Sequence, residues 1–452
     1  MFLKQSRGRA GNAVELVFAG AKIAALRRLF LITLCFCALL TKVTPEASQS
    51  RLGTIESLVE RGTYRLDDST FIHTIDKIYK DGHYYSHQPP LLSTLEAPVY
   101  WVLHLSGARF HNRGRMLLTY SFTLLTSGVA VAATVVVIAG ILELASGGAL
   151  LNSALPIWLV LGTWLLPYGL VANNHVVSGC LLAMLSWLLL ESEWRAATRR
   201  GALAIGGVLG LLSAIEVLPL VSFLPVTVIY LMSRRRFDAS GWALFALGLT
   251  APLLAHALIN FQITGDVIPA GFHTELFTFE GTGFDAGSLT GSLKHHSLRD
   301  VSMYAWRSLF AGKGFFIFAP LCLAGLICGL VEWRWWLSRA AGVYAVLLSG
   351  TAISVFIAVL TTNNFGGSSV GFRHAVYLSP AFIVLLLPWL VGNAPRRRAA
   401  VTAIAVASTI SMSVFAARAP WSGLTVFEAR IGSWDEYVPL AGHIVHGDLF
   451  IP

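Results

Sequence analysis

The chain has 452 residues, 55% of them hydrophobic and only 13% charged, about half the charged share of a soluble domain. Its net charge of +9 is gathered in arginine clusters beside apolar runs, including Arg27-Arg28, Arg199-Arg200, Arg234-Arg235-Arg236 and Arg396-Arg397-Arg398. That is the positive-inside bias of a membrane protein and excludes a nucleic-acid footprint. Apolar stretches of about 17–27 residues suit helices crossing about 30 Å of hydrocarbon, and the short alternating segments of a β-barrel are missing. The predicted fold class is all-α, a polytopic transmembrane helical bundle of about 11–12 spans.

Residues 1–28 hold Lys4, Arg7, Arg9, Lys22, Arg27 and Arg28. Asn12–Leu26 reads as an amphipathic helix on the cytoplasmic surface and Leu29–Val43 as a retained first span, because no A-x-A cleavage site follows. The cytoplasmic membrane with the N-terminus inside is the expected location. Residues 29–416 form the membrane domain, with external loops at 46–90, 264–307 and 363–374. An external tail at 417–452 either caps the outer face or binds a partner.

The first loop is the most polar part of the chain, with Glu46, Arg51, Glu56, Glu60, Asp67, Asp68, Asp76, Asp81, His73, His83 and His87. Ser50–Gly62 has helical periodicity, Leu52, Ile55, Leu58 and Val59 sharing a face and Gly62 standing where a C-cap glycine belongs. Such a helix lies flat on the outer bilayer surface, with Arg51 and Glu56 flanking its apolar stripe and both aimed toward a cavity. Asp67-Asp68-Ser69 reads as a structural turn. Asp76 sits inside an apolar pattern of Phe71, Ile75, Ile78 and Tyr79. Pro89-Pro90 disfavour a helical start before them and fix His87 and Gln88 at the rim of the outer face.

Leu91–Leu105, Met116–Leu142, Leu150–Leu166 and Val171–Leu190 follow as apolar runs. Parity leaves one crossing too many or too few here, at Leu91–Leu105 or around Gly147-Gly148. Asn173-Asn174-His175 and Glu216 are polar groups at the outer ends of apolar helices, which marks function or interhelical hydrogen bonds. Ala202–Met232, flanked by basic clusters at both ends, reads as a helical pair turning near Glu216 and Pro219. Gly241–Ile263, Gly314–Val331, Ala340–Leu360, Ala375–Val391 and Ala399–Ala416 complete the spans. The external stretch Asn363–His374 carries Gly366, Gly367 and Gly371 and ends in Arg373-His374. Glycine-rich backbone curls its N–H groups around an anion, and arginine supplies a forked donor for phosphate. The five cysteines all lie in apolar runs, without metal or disulfide spacing. No internal repeat is evident, which weighs against a transporter built from inverted halves.

Tyr84–Leu91 is similar to the segment ending in Pro-Pro-Leu that closes the first external loop of GT-C fold glycosyltransferases. This group includes the protein O-mannosyltransferases and the lipid A aminoarabinose transferases. Ser48-Gln49-Ser50-Arg51-Leu52 occupies the place where they carry Asp-Glu followed by Arg. Asn173-Asn174-His175 lies where some carry an acid opening a helix, and Gly366–Arg373 resembles a late Gly-rich loop ending in Arg. The resemblance covers residues 29–392 and implies transfer of a sugar from a polyprenyl-phosphate donor. It implies Arg51, Arg373, Gly366 and Gly367 as phosphate ligands, with His87, Gln88, Asn174, His175 and Glu216 contacting substrate. Ser48-Gln49 replaces the family's acidic pair, so either Glu46, Glu56 or Asp76 serves as base or this member is inactive, and no divalent metal is expected. The rival readings are an inactive scaffold of the same fold and a lipid or solute transporter.

Overall fold

The computed structural model describes residues 2–43, 48–111, 115–148, 150, 153–195, 197–234, 236–282, 295–311, 313–362, 369–392 and 394–418, with side chains from Gly20 to Ala416. Glu46, Gly366 and Gly367, and the tail from residue 419, lie outside the described residues. Helix α1 (Phe2–Leu40) is one continuous element and not a surface helix followed by a separate span. No helix breaker divides the apolar run before Leu40, and the membrane-length part is Gly20–Leu40. α1 packs on α5, where Lys22 meets Glu143 at 2.7 Å.

α2 (Gln49–Arg61) ends as the sequence predicts, on Gly62 in the left-handed region at φ 67°, its N–H returned to Leu58 and Ser57 carbonyls. Leu52 and Ile55 are buried with Phe71, Tyr100 and Phe110. Two strands, β1 (Lys77–Lys80) and β2 (His83–Ser86), pair antiparallel and add a hairpin to a chain otherwise read as all-α. Asp81 and Gly82 both have positive φ, 50° and 86°, the two-residue turn that an Asp-Gly pair favours. α3 (Pro90–Leu105) starts directly at the second proline and packs along α2. At 16 residues it is not among the membrane-length helices.

α4 (Arg115–Thr123) and α5 (Val129–Ser146) join through a π-turn at Leu124–Gly128 into one 32-residue span. The expected span Leu150–Leu166 is instead two short buried helices, α6 (Leu155–Leu161) and α7 (Leu165–Tyr168). Gly162 interrupts them where α18 crosses so closely that a Cβ would stand 2.9 Å from the Ala405 carbonyl oxygen. α8 (Asn174–Trp194) is capped by Asn173, whose side-chain oxygen accepts from the Val176 N–H at 3.2 Å. α9 (Arg199–Ile215) and α10 (Leu218–Ser233) form the expected pair turning at Glu216.

α11 (Ala239–Thr264) lies along α9 at backbone contact. A Cβ at Gly206 would collide with the Phe245 carbonyl oxygen. Gly206→Ala is therefore expected to cost about 1–3 kcal/mol, read as a lowered melting temperature of the detergent-solubilised protein.

α12 (Leu298–Leu309), α13 (Phe315–Phe318) and α14 (Pro320–Val331) follow, Pro320 splitting the run expected as one span. α15 (Trp333–Thr361) starts earlier than expected and kinks at Ala340. A 3₁₀ turn at Arg373–Leu378 leads into α16 (Ser379–Leu385) and α17 (Leu387–Val391), with Pro380 and Pro388 breaking the helical ladder. α18 (Pro395–Arg418) closes the bundle. Seven helical segments among the described residues have membrane length, with Leu218–Ser233 and Pro320–Val331 as shorter apolar helices.

Candidate functional site

Ser48, Arg51, Asp76, His87, Gln88, Asn174, His175, Glu216 and Arg373 line one cavity of about 390 Å³. They arrive from five places: the start of α2, the approach to β1, the turn after β2, the α8–α10 end, and the loop before α16. The opposite wall is apolar, formed by Leu218 and Val221 of α10 with Ile357 and Ala358 of α15. Val221 is half exposed, so this wall continues to the outer surface of the bundle.

A hydrogen-bonded chain crosses the polar wall. Arg51 Nη2 donates to Asn174 Oδ1 at 3.3 Å and reaches Gln88 Oε1 at 3.5 Å. Asn174 Nδ2 donates to Glu216 Oε2 at 2.6 Å, and His175 Nδ1 lies 3.1 Å from the same oxygen. Gln88 Nε2 is 3.0 Å from His87 Nε2. Ser48 donates to the Ala172 carbonyl and Ser50 bonds Ser86, stitching α2 to the α8 approach and to the hairpin. Burial pushes the His87 imidazole below its usual range; Asp76 opposes this, while Arg373 and Arg51 add to it. His87 is thus held neutral beside a carboxylate.

Arg373 has no carboxylate within ion-pair distance among the described residues. Its delivery depends on Gly371, whose φ of 66° suits only glycine and whose missing Cβ leaves room for the Trp164 ring. Tyr168 Oη donates to the Val370 carbonyl at 2.7 Å, and Lys313 Nζ donates to that of Ser369, fixing the same turn. Burial, with Arg373 adding to it, lowers Lys313 to about 8. Two cations close together in a partly buried place make an anion-attracting corner.

Glu56 does not join the cavity. Its carboxylate accepts from Ser69 Oγ at 2.5 Å, Thr70 N at 2.8 Å and Thr70 Oγ1 at 2.6 Å, with Arg61 at 3.7 Å. Five positions along a helix at about 100° per residue place Glu56 about 140° around from Arg51, so one helix cannot aim both at one point. Glu56→Gln is expected to destabilise the fold by about 1.5–3 kcal/mol, measured by thermal unfolding. Glu56, Glu60 and His111 bring one ligand atom each within 4.8 Å of one another, away from the cavity.

Sequence reasoning missed His374 and Phe272, which also line the cavity, and Glu96, buried near Arg51. His374 adjoins a residue already singled out, whereas an aromatic in a long loop carries no signal of its own. Glu96 was visible as an acid in an apolar run.

No protein-family model matches the chain, and no curated protein matches its sequence. Among solved structures it is similar to ArnT from Cupriavidus metallidurans bound to undecaprenyl phosphate, with TM-score 0.51 and 12% identity over 89% of this chain and 65% of that one. The apo oligosaccharyltransferase of Archaeoglobus fulgidus gives TM-score 0.51 and 13% identity over 93% and 59%. The chain has the GT-C fold. It spans less than two thirds of the length of either neighbour. At these identities the likeness is one of fold.

Proposed function

We propose that this protein is a membrane glycosyltransferase that moves a sugar from a polyprenyl-phosphate donor to an acceptor hydroxyl or amide at the outer face of the cytoplasmic membrane. The acceptor is a lipid, glycan or protein, and the sugar a hexose or pentose. The observation that carries this reading is the meeting of Arg51, Arg373 and Asp76 in one cavity with an apolar wall opening to the bundle surface. The prenyl chain lies along the α10–α15 wall, and the two guanidiniums take the phosphate as forked donors. Asp76, with neutral His87 beside it, accepts the proton of the acceptor. The new bond forms from the acceptor to the anomeric carbon as the bond to the phosphate oxygen breaks, and the charge left on the prenyl phosphate falls on Arg51 and Arg373.

The structural likeness to ArnT, captured with undecaprenyl phosphate, supports the choice of donor class. The test is transfer of labelled sugar from a polyprenyl-phosphate donor in proteoliposomes of the purified protein. No transfer to any supplied acceptor, with the donor still bound, favours the inactive-scaffold reading that Ser48-Gln49 raises.

A further inference from the structure

Glu96, on the helix packed along α2 and near enough to act on the Arg51 charge, does not line the cavity, and the mechanism does not use it. Glu96, on α3, is 5% exposed, and neither of its oxygens has a hydrogen-bond partner among the described residues. Arg51 is 4% exposed, and its Nη1 is likewise unpartnered while Nη2 serves Asn174 and Gln88. The elements packed on α3 supply few other charges. α2 contributes Arg51, and its other ionisable groups are engaged elsewhere, Glu56 with Ser69 and Thr70, Glu60 with Tyr100 and His104, and Arg61 with Ser57, Glu56 and Glu60. α4 contributes Arg115, which lies over the Phe71 ring. α9 beyond Arg199 and Arg200, and the π-turn, have no ionisable side chain. α11 contributes His256, 7% exposed, and one turn on Asn260, fully buried. All four polar atoms of that pair lack partners too.

Buried polar atoms in native proteins are almost always satisfied, each orphan costing about 1–3 kcal/mol. Both Glu96 oxygens and Arg51 Nη1 are such orphans. Glu96 is pulled two ways. Burial favours the acid and lifts Glu96 to about 7, while the Arg51 charge favours the carboxylate.

We propose that Glu96 is a positioning residue that sets how much of the Arg51 charge reaches a bound phosphate, taking up a proton when an anion settles on Arg51. This rests on the lipid-phosphate reading of the cavity. An anion on Arg51 cancels the charge that keeps Glu96 ionised, so Glu96 protonates. Linkage makes the effect reciprocal: a protonated Glu96 no longer competes for Arg51, and the anion binds more tightly. Affinity therefore rises as pH falls through the Glu96 range. His87 acts in the same direction in a lower pH window, since its own titration is displaced downward. Lys313, lowered to about 8, acts in the same direction in a higher one, so the comparison is made in a Lys313→Arg background that keeps this charge fixed.

The test uses full-length protein in nanodiscs and decaprenyl methyl phosphate, a phosphodiester whose own charge is constant from about pH 5 to about pH 9. The Lys313→Arg parent is expected to bind about tenfold more tightly at about pH 6 than at about pH 8.5, one pKa unit of coupling being tenfold in affinity. Glu96→Gln is expected to bind tightly throughout and to lose the step near neutrality, while Glu96→Asp restores it. A pH-independent parent, or a step that survives in Glu96→Gln, overturns the proposal. A second readout needs no lipid: the infrared carbonyl stretch of a protonated buried carboxyl, expected in wild type at about pH 6 and missing in Glu96→Gln. Lack of that band sinks the proposal whatever the lipid does. A protein that shows the band yet binds no phosphodiester at any pH overturns the lipid-phosphate reading, and the linkage with it.

Discussion

Asp76→Asn is expected to lower sugar transfer by about 10²–10⁴-fold, the usual contribution of a positioned general base, with donor binding little changed. The amide keeps the shape of the side chain and removes its ability to take a proton. Asp76 is the carboxylate in the cavity least engaged by neighbours. Glu216, by contrast, receives Asn174 Nδ2 at 2.6 Å and faces His175 at 3.1 Å, so its role is to hold Asn174 and through it Arg51. Initial rates with saturating labelled donor read the effect, and donor binding measured separately tells loss of chemistry from loss of binding. If Asp76→Asn keeps the wild-type rate and Glu46→Gln does not, the base belongs to the segment between α1 and α2.

Arg373→Ala is expected to cost about 10²–10³-fold in kcat/KM, the scale seen when one preorganised donor to a developing oxyanion is removed. Arg373→Lys is expected to recover little of this. A lysine ammonium is a compact point charge, without the fork that meets two phosphate oxygens at once. The comparison with Arg51→Ala separates the two roles. Arg51 also ties α2 to Asn174 and Gln88, so its loss is expected to loosen the polar wall and lower thermal stability. Arg373 has no carboxylate partner among the described residues, and its loss is expected to leave stability within about 0.5 kcal/mol.

The lengths of the apolar runs and the placing of arginines already carry the membrane class, because the hydrocarbon thickness imposes a length that no soluble packing does. The Ser50–Gly62 helix and its glycine cap were equally legible, since cap geometry is a local demand on φ. The Asp81-Gly82 hairpin was present as a signal and passed over among the aromatics around it. The broken helices α6, α7, α16 and α17 were not legible as breaks. Hydropathy averages over a window, whereas Gly162, Pro380 and Pro388 act at single positions where neighbouring helices press close.

The candidate site divides along the same line. Residue chemistry alone marked Arg51, Asp76, His87, Asn174, Glu216 and Arg373, because ionisable and amide groups beside lipid need a reason to be there. It marked Glu56 on the same grounds, and there the helix turned the side chain toward Ser69 and Thr70. By itself the sequence determined which segments are apolar enough to cross and which polar groups stand at their ends. Only the tertiary structure decided that residues more than three hundred positions apart share one cavity, and that Glu96 sits unpaired near Arg51. Convergence of that kind depends on helix rotation and crossing, which long-range packing sets and no local pattern encodes.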